Sequence, residues 1–145
     1  MSNWFQKYFI LLDIILAVLL LIAFDRSKRR SFIRRYKLTQ ESRAALSETD
    51  FCKRLSIDKN NASFIRAIRE SLAKRPTLNP VRIYPEDKLW HGFDFEIIEV
   101  FDEPTKKYFY ENYEYFSDDV QCVGDLVKFL IQIRADAKFE NPIKL

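Results

Sequence analysis

Seventeen consecutive positions, residues 8–24, read "YFILLDIILAVLLLIAF", with Asp13 their only charge. A helix of this run is apolar on every side and about 25 Å long, the short end of what a bilayer's hydrocarbon layer requires. Trp4, Phe5 and Tyr8 extend it into an aromatic belt. A signal peptide fits less well, because only Lys7 precedes the run and no small-x-small cleavage site follows it. A buried helix of a soluble core fits less well still, since the run is apolar all round. The pattern therefore predicts a transmembrane helix within residues 1–24.

After Asp25 the pattern changes. Residues 25–61 read as a basic juxtamembrane segment and a polar helical connector. "TQESRAAL" and "SETDFCKRL" are rich in helix formers, Ser47 or Thr49 is available as a cap, and no Gly/Ser or Pro run signals a floppy linker. Residues 62–138 then carry apolar positions at helical spacing. Ser63 is placed to cap "FIRAIRESLAKR", whose Ile65, Ile68 and Leu72 fall at i, i+3 and i+7. Pro76 and Pro80 end that helix. "TLNPVRIYPEDKLWHGF" reads as a long loop, and Val81, Ile83 and Leu89 are its means of packing across the bundle. Asp94 is suited to cap the next helix, with Glu96 and Glu99 in its first turns and Ile97, Ile98, Phe101 and Tyr108 on its apolar face. Pro104 either kinks that helix, or Asp102 or Glu103 ends it and Pro104 opens a second turn. "YFYENYEYFSDDV" leaves room for one short helix. Val123, Leu126, Val127, Leu130 and Ile131 form the apolar stripe of a final helix, with Gly124 near its start, where its entropic cost is small. Residues 139–145 are a tail. No strand-like alternation or repeat appears. The expected fold is all-α: a transmembrane helix, a helical connector and a small four-helix bundle.

Net charge is only +3, but it is unevenly placed. Residues 25–37 hold seven bases, Arg26, Lys28, Arg29, Arg30, Arg34, Arg35 and Lys37, against Asp25 alone. Residues 84–121 hold eleven acids against three lysines. By the positive-inside rule, residues 25–145 are expected to face the cytoplasm. Arg26, Lys28, Arg29, Arg30, Arg34 and Arg35 are expected on anionic lipid headgroups, each worth about 1 kcal/mol. A nucleic-acid role for "RSKRRSFIRR" is outweighed by its position directly after a span, and the acidity of the aromatic region speaks against nucleic acid there. Asp13 costs about 2.5–3.5 kcal/mol at mid-bilayer. Two readings of it stand open: a contact to a partner helix, or a shallow carboxylate reached by water and headgroups.

Candidate chemistry is sparse. Cys52 and Cys122, without CxxC spacing and with His91 as the only histidine, make no zinc site and read as free thiols. Asn61-Ala62-Ser63 matches a glycosylation sequon that matters only in a secreted chain. His91 sits in a loop beside Trp90 with no predicted nucleophile near it. The acids of residues 96–103 read as a solvated helix face, and the tyrosines at 108, 110, 113 and 115 as packing and interface residues.

Three stretches resemble the acyl carrier protein family. "W-H-G-F-D-F-E-I-I-E-V" is similar to that family's "L-G-x-D-S-L-x-x-V-E-L". "Cys122-Val123-Gly124-Asp125-Leu126-Val127" is similar to its "T-V-x-D-L-V", and "Ile83-Tyr84-Pro85-Glu86-Asp87-Lys88-Leu89" to its loop "I-x-P-x-x-x-L". The resemblance covers about residues 62–135 and implies a helical bundle whose acidic second helix docks basic partners. In that alignment Asp94 stands where carriers hold the serine that receives phosphopantetheine, and residues 85–116 contain no serine. A carboxylate cannot form that phosphodiester, so no prosthetic group and no enzymatic activity are expected. The chain is also similar to a bacterial group of carrier-like proteins that lack this serine. The expectation is a membrane-anchored interaction module. Glu96, Glu99, Asp102 and Glu103 would bind a basic protein surface, on an acyl-chain enzyme or a membrane protein. A carrier modified elsewhere, and a membrane-regulating or immunity-type protein, are the alternatives.

Overall fold

The computed structural model describes residues 2–74, 76–89, 95–113 and 118–140, with side chains at 2–5, 95 and 96 outside the description. Every regular element among the described residues is helical. The chain divides into two compact units, Met1–Leu38 and Thr39–Leu145.

The first unit lies on one helix, α1 (Ser2–Glu41), about 60 Å long from end to end. The helix does not stop at residue 24. Nothing between Phe24 and Lys37 breaks it, since the segment contains neither proline nor glycine. Among the described residues it is the one helix long and apolar enough to cross a membrane, and none of its apolar window is buried. Lys28 lays its ammonium over the Phe24 ring at 4.5 Å, and Phe32 and Tyr36 stack at 6.2 Å.

The second unit starts earlier than residue 62. Residues 42–61, expected as a polar connector, contribute to its core through α2 (Glu48–Leu55), which buries Phe51 and Cys52. Of the two candidate caps, Ser47 is the one used, its hydroxyl accepting from the Asp50 amide at 3.1 Å. The next helix, α3 (Ala62–Lys74), is not capped by Ser63, which lies within it. A short 3-10 turn at Lys59–Asn61 leads in, with Asp58 accepting from the Asn60 amide at 2.8 Å. At its far end Leu78 N–H bonds the Ala73 carbonyl at 3.0 Å, and Thr77 takes the left-handed conformation (φ 54°) that such a stop requires.

The loop after α3 packs through Leu78 and Ile83, both buried, whereas Val81, expected to pack, is exposed and Leu89 is half-buried. Its second half runs beside the start of the last helix. Leu89 N–H donates to Gln121 at 3.1 Å, Val123 N–H to Asp87 at 2.9 Å and Gly124 N–H to Pro85 at 2.8 Å.

The helix expected from Asp94 through Pro104 is two elements. A 3-10 segment, Phe95–Val100, precedes α4 (Glu103–Asn112). Asp102 caps α4 and Pro104 occupies its first turn, so the restart at Pro104 is realised and the kink is not. The last helix is α5 (Val123–Glu140), and it takes in residues 139 and 140, expected as tail. Its buried stripe includes Leu126, Val127, Leu130 and Ile133, whereas Ile131 is only half-buried.

α2 and the Phe95–Val100 segment pack on α3, and α4 packs on α5. An aromatic series ties these elements together. Phe64–Phe101 (6.0 Å), Phe101–Phe109 (6.4 Å), Phe109–Tyr113 (5.7 Å) and Tyr113–Phe129 (5.6 Å) lie in sequence. Each such pair adds about 0.5–1.5 kcal/mol beyond area burial.

Gly124 matters for closeness more than for entropy. A Cβ there would meet Leu55 Cδ2 at 2.8 Å and the Pro85 carbonyl oxygen at 3.1 Å. The leucine methyl can swing aside, but the carbonyl is held by the Gly124 amide itself. Gly124→Ala is expected to destabilise the unit by about 1–2 kcal/mol, read as a lower urea midpoint by near-UV circular dichroism.

Candidate functional site

The predicted docking acids fall at the junction of the Phe95–Val100 segment and α4, and the structure gives them unequal duties. Asp102 is engaged by the backbone: its carboxylate accepts from the Thr105 amide at 3.0 Å. Hydrogen bonds from the Thr105 hydroxyl and amide hold its carboxyl below the ordinary carboxylate range. It is a helix cap first. Glu99 and Glu103 instead share one cation, Lys106, whose Nζ lies 3.0 Å from a carboxylate oxygen of each. Those glutamates are 71% and 86% exposed while the lysine is 18% exposed. The lysine side chain is mostly covered and the acids are largely exposed, so an incoming cation can join Lys106 on their carboxylates without displacing it. Glu99 also borders an open groove of about 400 Å3, lined with Val100 and by Ala67, Glu70, Ser71 and Lys74 of α3. The side chain of Glu96 lies outside the described residues, as do Trp90, His91, Gly92 and Asp94 entirely.

A second polar cluster surrounds Asp87, which the sequence marks as one of eleven acids and as part of the Ile83–Leu89 loop. It is buried. One carboxylate oxygen accepts from Arg43 and the other from the Tyr84 amide at 2.8 Å. The Tyr84 ring carries the Arg43 guanidinium at 4.7 Å and that of Arg54 at 4.8 Å, and its hydroxyl donates to the Ala44 carbonyl at 2.9 Å. Arg54 also pairs with Glu86 at 3.3 Å. The one foretelling signal was Ile83–Leu89 itself, a loop with both apolar and acidic residues at fixed spacing. These contacts fix the loop to the segment that precedes α2, and they are structural.

The remaining candidates resolve into structural roles. Burial pushes the Cys52 and Cys122 thiols up, so neither is poised as a thiolate; both are free. No group of three His, Cys, Asp or Glu suited to a metal occurs among the described residues. Asn61 accepts from Arg134 at 3.0 Å. Tyr108 is buried, Tyr113 half-buried and Tyr110 exposed, while Tyr115 lies outside the described residues. Arg26, Lys28, Arg29, Arg30, Arg34 and Arg35 all stand on α1. At 100° per residue they point to every side of the helix.

Acid sensitivity follows from the capping carboxylates. Asp125, like Asp102, is held low, by hydrogen bonds from the Cys122 thiol and then from the Gln121 and Cys122 amides. A folded-state pKa below the unfolded value of about 3.9 stabilises above that pH, and the stabilisation is lost as pH falls through the folded value. The urea midpoint should therefore stay level from neutrality to about pH 5 and fall below about pH 4. Asp102→Ala should cost about 1 kcal/mol at pH 7 and less in the acid limb.

Compared with known protein families, characterised proteins and solved structures, the chain matches none.

Proposed function

We propose that this protein is a membrane-anchored interaction module that carries out no reaction of its own. α1 holds it in a bacterial inner membrane with residues 25–145 in the cytoplasm, its bases on anionic headgroups. The acids at 96–103 receive a basic surface of a partner protein, an acyl-chain enzyme or a membrane protein. The order of elements from residue 62, helix, packed loop, short helical segment and two further helices, supports a carrier-like four-helix bundle. Asp94 in place of serine leaves that bundle without an attachment point.

The observation that carries the docking claim is the Glu99–Lys106–Glu103 arrangement, with both acids largely exposed and their shared cation mostly covered. Asp102 is left out of the test because it caps α4. In a pull-down with the full chain in mild detergent, reversing Glu99 and Glu103 to Lys should lower recovery of the partner by roughly tenfold or more. Unchanged recovery would sink the docking surface.

A further inference from the structure

The one charge within the apolar run of α1 is unaccounted for by the docking surface or the headgroup collar. Asp13 stands on the open surface of the helix and makes no hydrogen bond or ion pair among the described residues. Along the helix the nearest charges are Lys7 and Asp25, six and twelve residues away, or about 9 and 18 Å at 1.5 Å per residue. Neither reaches it. If residues 8–24 span the bilayer, the middle of the span is Leu16, and Asp13 is about 4.5 Å from it along the axis. In hydrocarbon a polar group at that depth normally faces another helix and is satisfied by it.

The sign of the charge selects the occupant. A second copy inserted in the same direction would bring another carboxylate to the same depth and a second seven-base segment alongside the first. Both juxtapositions are repulsive. A helix bearing a cation meets neither difficulty, and it supplies the donor a carboxylate needs. Ala17, one turn further on the same face, is small enough for a close approach of backbones.

We propose that Asp13 docks α1 against a transmembrane helix of a different protein that carries a lysine or arginine at the same depth. This rests on the membrane-spanning reading of α1 and is independent of the acidic docking surface. The test places a photoreactive residue at Ala17 in the full chain, in the cells it comes from. The expected adduct contains another membrane protein with a base in its span. Its yield falls roughly three- to thirtyfold in Asp13→Leu. It is lost in Asp13→Lys and restored when the partner's base is changed to Asp. An adduct with a second copy, a partner span without a base, or a yield indifferent to Asp13→Leu overturns the proposal. Resistance of the chain to carbonate extraction is measured on the same membranes. Chain that washes off refutes the span and this inference together, whereas chain that stays while the yield is indifferent refutes the inference alone.

Discussion

Arg69→Ala is expected to lower the stability of the Thr39–Leu145 unit by about 3 kcal/mol, more than 10 °C in Tm for a domain of this size. Among the described residues Arg69 is the largest fully buried side chain, 1% exposed. Its Nη1 donates to the Leu46 carbonyl at 2.9 Å and lies 3.9 Å from Glu48 Oε1, while the guanidinium sits over the Phe51 ring at 5.2 Å. Truncation opens a cavity between α2 and α3 and takes the donor from a buried carbonyl. Arg69→Met keeps the stem and fills most of the space. Glu48 retains Arg66 at 3.3 Å, so the loss there should be about 1 kcal/mol, that of one hydrogen bond. Arg69→Lys should resemble alanine more than methionine, because an ammonium cannot lie flat on Phe51 while reaching Leu46. Urea midpoints of the full chain in mild detergent, followed by near-UV circular dichroism, give the order. Equal stability of the alanine and methionine variants would contradict this account.

Asp87→Ala is the second large effect, about 2–4 kcal/mol. The substitution removes the acceptor of the Tyr84 amide and the carboxylate to which Arg43 donates, in a site where Asp87 is 6% exposed. Arg43 also lies on the Tyr84 ring, so the loop should loosen along its length. Asp87→Asn keeps an oxygen for the amide and loses the charge, and should fall between. Hydrogen exchange at the Val123 and Gly124 amides, which bond the loop carbonyls of Asp87 and Pro85, should speed up in Asp87→Ala. Protection equal to wild type there would refute the loop-fixing role.

What the sequence disclosed was mostly what is periodic. The apolar run at 8–24, the stripe of α3 and most of the stripe of α5 are visible because burial repeats at helical spacing. The break at Pro104 was also legible, down to its two outcomes, since Asp102 and Pro104 suit the cap and first turn of a helix. What stayed hidden depends on contacts distant in sequence. Nothing local marks Arg69 as buried, for an arginine on an amphipathic helix normally belongs to its wet face. Its place is set by Leu46, Glu48 and Phe51, about twenty residues earlier. The polarity of residues 42–61 likewise suggested a connector, because only Phe51 and Cys52 of α2 turn inward. At the acidic site, the exposure of Glu99 and Glu103 was foreseen. Their sharing of Lys106 was not, because it joins residues across the break between the 3-10 segment and α4.

The bases of α1 have a mechanical meaning as well as an electrostatic one. Because they point to all sides, the headgroup layer proposed above would meet a base whichever way the helix is turned about its own axis. On that proposal the collar would fix how deep the shaft sits and leave its azimuth free. Asp13, polar on one side only within the apolar run, would then be the key that sets the rotation.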